Sequence, residues 1–223
     1  MGSEHLPPSP GLRFLIEGLS ACTVSDSAQL LELIASAGVS AVELEPWADY
    51  NHSPRDSYGR RLVWYGGHFE VMVMTWLPGD FSAIHDHGYA QWGAVQCFGT
   101  AEHHSYNLKG RHLQYEASLP YTPGQIRMVN RGLIHQMGNY GSESFLSLHV
   151  YGADVCREAI TGSARVFAVN EGCIQFTNGG VFFGLPNREI LRCQTGLTAD
   201  PDILHRQQQL RTWRAAQALA NVC

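Results

Sequence analysis

The sequence lacks any run of apolar residues close to the roughly 18 that a membrane span requires, and its first 20 residues do not set a charged stretch before an apolar one, the order of a secretory signal. The expectation is a cytoplasmic protein with no membrane partner. It also lacks a CxxC pair: Cys22, Cys97, Cys156, Cys173, Cys193 and Cys223 are scattered, which speaks against a zinc ribbon or a disulfide framework and for reduced, mostly structural thiols. Charge is scarce, at 16% of residues, and the net charge of -5 comes without a run of lysine or arginine. The basic footprint of a nucleic-acid binder is missing, so a small-molecule partner is expected. No internal repeat, low-complexity tract or clear linker interrupts the chain, and nothing in it fixes an oligomeric state.

What is present suffices for one core. The chain has 223 residues, 44% of them hydrophobic, and is read as a single domain. Residues 1–12 hold Pro7, Pro8 and Pro10 and read as a loose terminus. From Asp26 the stretch "DSAQLLELIASAG" offers an N-cap, a Gln29 three residues on, apolar Leu30, Leu31, Ile34 and Ala35, and a terminating Gly38: one amphipathic helix, followed by a short one near 42–49. After "SPRDSYG" the texture changes to short runs rich in Val, Tyr, Trp and Phe, among them "RRLVWY", "FEVMVMTW", "WGAVQCF", "QIRMVN" and "SFLSLHVY", with turns at "LPGD" and "TPGQ". Many short strands at close spacing predict an all-β sandwich or barrel. "ARVFAV" and "CIQFT" extend the sheet, and residues 202–222 read as a C-terminal helix with Leu204, Leu210, Trp213 and Leu219 as apolar contacts.

Eleven histidines are present, and "IHDHGYAQWG" holds two of them one residue apart. In a strand, residues two apart share a face, so His85 and His87 aim their rings into one space and form a chelate. A third ligand must come from further along, and His135 and His149 are both candidates. Adjacent His103 and His104 face opposite ways in a strand. They, with His5, His52, His68, His112 and His205, read as surface or incidental histidines.

Taken together, "SYGRRLVWY", "IHDHG" with Gly99 twelve residues after His87, "YTPGQ", "GLIHQMGN" and "SLHVYG" resemble the thiol dioxygenases of the cysteine dioxygenase family, within the cupin superfamily, over roughly residues 55–155. The resemblance implies a mainly β cupin barrel, or jelly roll, with a tail and helices over 1–54, the metal-binding core over 55–155 and strands and a helix over 156–223. It implies one ferrous iron held by His85, His87 and His135, with O2 as co-substrate, and Ni(II) as the alternative metal. Arg60 would grip a substrate carboxylate, with Tyr58 beside it, and the family's tendency to carry glutamine there in 3-mercaptopropionate enzymes tilts Arg60 towards L-cysteine. Arg61 is expected to face the other way. Ser147, His149 and Tyr151 match a relay that orients a phenol near the metal.

The implied activity is addition of O2 to the sulfur of L-cysteine, giving cysteine sulfinic acid. One departure stands out. Animal members carry, five residues after the second metal histidine, a cysteine that crosslinks to the tyrosine, and many bacterial members carry glycine there; the count lands here on Trp92. The crosslink is therefore expected to be absent, Cys97 being an odd number of residues further on, and Trp92 is expected either to wall the substrate pocket or to pack in a core. In the pocket it would favour a rival reading, an Fe or Ni enzyme of specialised metabolism that carries the oxygenated sulfur on to a sulfur-nitrogen product. A non-catalytic cupin sensor is a further alternative, as is oxidation of a protein's N-terminal cysteine, which Arg60 disfavours.

Overall fold

Alternation along two adjacent strands sorts the apolar residues into separate cores, and that sorting positions everything else. The computed structural model describes residues 8–21, 24, 26–53 and 56–220; His5 and the start of the proline-rich terminus lie outside them. The strands are β1 (Gly59–Tyr65), β2 (Phe69–Trp76), β3 (Trp92–Cys97), β4 (Glu102–Lys109), β5 (His112–Ser118), β6 (Ile126–Asn130), β7 (Ile134–Gly138), β8 (Phe145–Gly152), β9 (Ala164–Ala168), β10 (Cys173–Thr177), β11 (Arg192–Thr195) and β12 (Thr198–Ala199). The helices are α1 (Pro10–Ala21), α2 (Ser27–Ala37), α3 (Ala41–Leu44) and α4 (Pro201–Ala220).

One sheet runs in the order β1-β2-β8-β3-β6; facing it are strands in the order β12-β5-β4-β7, with β11-β10-β9 alongside. β2 and β8 are buried along their whole length, as strands covered on both faces must be. Val71, Val73, Leu146, Leu148 and Val150 belong to a core shared with Leu12, Leu15, Leu30 and Ile34 of α1 and α2. The alternate residues Met72, Met74, Trp76 and Tyr151 belong to an inner core with Val95, Val166 and Val181. A third cluster joins Ile84, Tyr106, Leu113 and Ile134 to Phe167 and to Ile203 of α4.

The protein is thus mainly β, a curled sheet with helices at both ends. Asp26 caps α2 by accepting from the amides of Ala28 and Gln29, and Gly38 ends it in the left-handed region, so that helix is as the sequence predicts. The terminus is not: α1 begins at Pro10, and its buried Leu12, Leu15, Ile16 and Leu19 carry the spacing of an amphipathic face. β7, β11 and β12 are further strands that the sequence reading did not identify, and in α4 Ile203 and Leu210 are buried whereas Leu204 is exposed.

Candidate metal centre

His85 and His87 lie in an irregular extended stretch between β2 and β3, where a regular strand had been expected. The stretch is held from both sides. His85 and β7's His135 exchange two backbone hydrogen bonds of 2.9 Å, while the amides of Phe167 and Asp86 pair with the carbonyls of Ile84 and Arg165 across the gap to β9. Asp86 strengthens the second seam: its carboxylate accepts from the Arg165 amide at 2.8 Å and from Arg165 Nε at 2.5 Å. The residue between the two histidines is therefore the tether of the loop.

Three imidazoles converge. His135 Nε2 lies 3.1 Å from His85 Nε2 and 3.1 Å from His87 Nε2, and the three are buried with ligand atoms all within 4.8 Å of one another. His85 Nδ1 lies 2.9 Å from the Ala83 carbonyl, so that nitrogen carries the proton and Nε2 keeps its lone pair. Burial lowers the His85 pKa to about 4, and burial together with the neighbouring imidazoles lowers His87 and His135 well below the ordinary histidine value. Lone pairs pressed together in neutral rings repel one another, and a cation removes that cost. Nitrogens 3.1 Å apart also match two ligands each about 2.1 Å from a shared ion, so the donor set fits a first-row divalent metal. Among the described residues no other group of three converges in this way.

His149, the other candidate third ligand, is engaged elsewhere. Ser147, His149 and Tyr151 lie on the inner face of β8, with Ser147 Oγ 2.8 Å from His149 Nε2 and His149 Nδ1 2.9 Å from the Tyr151 hydroxyl. Trp76 supplies the direction. Its indole N–H donates to Ser147 Oγ at 2.8 Å and can only donate, so the serine passes its own proton to His149 Nε2 and the histidine's N–H, on Nδ1, donates to the tyrosine oxygen. The Tyr151 O–H is then free to turn into the pocket, where the ring lies 4.9 Å from that of His87. Burial holds His149 neutral, with a pKa near 3, and raises Tyr151 well above its ordinary value: the relay positions a neutral phenol as a donor.

Arg60, Tyr58, Met72, Met74, Trp76 and Val181 line the same pocket as the three histidines. Arg60 Nη2 donates to Thr161 Oγ1 at 3.3 Å, and Thr161 donates in turn to the buried carboxylate of Glu70 at 3.2 Å. Tyr58 stacks on Trp76 with centroids 4.9 Å apart, and burial raises its phenol to about 12. Arg61 points out and pairs with Asp49. The segment from 156 onward, for which the sequence suggested no role, supplies Thr161, Gly179 and Val181 of the wall.

Trp92 does not line the pocket. Its indole belongs to the core under α1 and α2 and lies flat on Gly152, where a Cβ would meet the ring at 2.0 Å. The residue facing Tyr151 is Gly93, its partner across the β3–β8 ladder. Trp92, five residues after His87, thus faces the helices, and the residue across from Tyr151 is a glycine, which leaves no thiol there to crosslink. Cys97 is on the inner face but opposite Ser147, four residues or about 13 Å along the strand from Gly93.

Of the histidines read as incidental, His52 pairs with Asp80, His104 with Glu102 and His112 with Asp200. His103 is different: it is buried, with Nε2 2.9 Å from His135 Nδ1. Its adjacency to His104 hid it, since one of two neighbours in a strand must face inward.

A sequence profile describing cysteine dioxygenase type I matches residues 16–157. Among solved structures, the chain is similar to an uncharacterized conserved protein with a double-stranded beta-helix domain from Klebsiella pneumoniae, at 20% identity and a TM-score of 0.41 over 52% of this chain and 95% of that one. It is similar to a recombinant oxalate oxidase in complex with glycolate at 17% identity and TM-score 0.40, over 48% of this chain and 55% of the other. A Cupin 2 conserved barrel domain protein from Salinispora arenicola matches at 17% identity and TM-score 0.36, over 47% and 82%.

Proposed function

Because the chain belongs to the cysteine dioxygenase type I family, we propose that it is a metal-dependent thiol dioxygenase that takes L-cysteine to cysteine sulfinic acid. The observation that carries this reading is the convergence of His85, His87 and His135 in one pocket with Arg60 and Tyr151. Both atoms of O2 end on sulfur, so the thiol gains two oxygens and no further reductant is needed.

The three histidines would hold Fe(II). Such an ion would supply the Lewis acidity that keeps the substrate sulfur as thiolate and the redox chemistry that activates dioxygen. The rest falls to side chains. Arg60 offers a planar fork for the carboxylate, and Thr161, anchored on Glu70, keeps that fork from swinging away. Tyr151, aimed by the relay that starts at Trp76, donates a hydrogen bond to the reacting groups. Met72, Met74 and Val181 exclude water around them.

The rearrangement to a sulfur-nitrogen product drew its support from Trp92 in the pocket wall. Trp92 lies instead in the core under α1 and α2 and Gly93 faces Tyr151, so that reading loses its support. Mass spectrometry of products from Fe(II)- and Ni(II)-loaded protein, given L-cysteine under labelled dioxygen, tests the reading. Gain of two labelled oxygens with the carbon, nitrogen and hydrogen otherwise intact is expected with iron. A product that has also lost hydrogen or carbon would revive the rearrangement, and binding without turnover would leave a sensor.

A further inference from the structure

We propose that His103 is a positioning residue for the metal, acting through His135 as the acceptor that fixes which nitrogen His135 turns to the ion. The inference rests on the metal reading above. With Nε2 directed at His85 and His87, a neutral His135 carries its proton on Nδ1. That atom lies 2.9 Å from His103 Nε2, so the imidazole N–H donates to an imidazole lone pair. An acceptor of this kind locks the tautomer and ring orientation of a ligand and raises its basicity.

The strands arrange the contact. Ser105 of β4 pairs with His135 of β7, and His103, two residues before Ser105, faces the same side as its diagonal neighbour. Nothing else about His103 asks for an imidazole. Among the described residues its buried Nδ1 has no hydrogen-bond partner, and its other ring contact there is edge-on packing against Tyr121, with centroids 5.5 Å apart at 89°. An aromatic hydrocarbon would meet that packing at no cost in stranded polar atoms. The idle nitrogen costs stability, and the bond to His135 is the compensation.

The two ligands that exchange backbone hydrogen bonds are thus oriented by different means. His85 is set by a main-chain carbonyl, that of Ala83, and cannot be retuned by substitution. His135 is set by a side chain, so the electron-donating power of that ligand is adjustable by one residue.

The test uses the full chain, stripped of metal, with the variants His103→Phe and His103→Gln. Ni(II) and Co(II) affinities are measured by competition with a chromophoric chelator, and the ligand-field spectrum of each loaded protein is recorded alongside its thermal midpoint. His103→Phe should bind about 10- to 100-fold more weakly, with a shifted spectrum and a midpoint near that of the parent, because packing survives and the acceptor does not. His103→Gln, which keeps an acceptor, should recover most of the affinity. A folded His103→Phe with parental affinity and spectrum overturns the proposal while leaving the metal site intact. If His103→Phe fails to fold, His103→Met takes its place with the same outcomes. A parent protein that binds neither metal overturns the metal reading itself, and this inference with it.

Discussion

Gly93 lies directly across the ladder from Tyr151, so close that a Cβ added to it would come within 2.7 Å of the phenol ring. The absence of a side chain on β3 is what lets Tyr151 occupy its place at the end of the relay. Gly93→Ala should therefore displace the phenol, lowering turnover with metal content unchanged. Metal analysis together with steady-state kinetics checks this, and parental turnover would show that the ring relocates freely.

Trp92, one residue away, belongs to the other side of the sheet. Trp92→Ala removes a buried indole and should cost about 3–5 kcal/mol of stability, while the identity of the product stays the same. Chemical denaturation paired with product mass spectrometry separates the two effects. A changed product at unchanged stability would put the indole back in the pocket.

Substrate recognition should divide between Arg60 and its support. Arg60→Gln forfeits charged hydrogen bonds of roughly 1.5–3 kcal/mol, equivalent to a rise in KM for L-cysteine of about 10- to 100-fold, with 3-mercaptopropionate affected less. Thr161→Val leaves the guanidinium but frees it, and a smaller rise is expected. A parental KM for L-cysteine in Arg60→Gln would remove the arginine from the carboxylate.

The direction of the relay predicts that Tyr151→Phe lowers kcat by about 100-fold or more with metal affinity retained. Trp76→Phe keeps the stack on Tyr58 but removes the donor that orients Ser147, so its kcat should fall between those of the parent and Tyr151→Phe. Parental kcat in Trp76→Phe would mean that Ser147 holds its orientation unaided.

Metal-free protein should weaken in mild acid. Burial lowers His85 and His103 to about 4 and His149 to about 3 from an ordinary 6.5. The unfolded chain takes up protons that these sites refuse, so the stability they contribute is complete above about pH 6.5 and is lost as pH falls through that value towards about 4 and then 3. Urea midpoints measured between about pH 7 and about pH 5 should decline steadily; a flat profile would contradict the burial of neutral imidazoles.

Spacing made the His85 and His87 pair legible in the sequence, whereas His135, Arg60 and the Ser147, His149 and Tyr151 relay were picked out by the family resemblance; alternation then added only that each of these side chains shares a face with its second neighbour. What escaped notice depends on contacts across the chain. Thr161 meets Glu70 from 91 residues away, and His103 meets His135 from 32; no local pattern encodes either. The sequence left Trp92 between pocket wall and core, and the β3–β8 register decides it, since a period of two puts Trp92 and Gly93 on opposite faces of the sheet.

The seam between Asp86 and Arg165 also sets an order of events during synthesis. All three histidines leave the ribosome before residue 165 does, so the nascent chain carries its chelating groups while the strand that secures their loop is still missing. A chain cut short before β9 would therefore keep all three histidines and lose the strand that holds their loop in place.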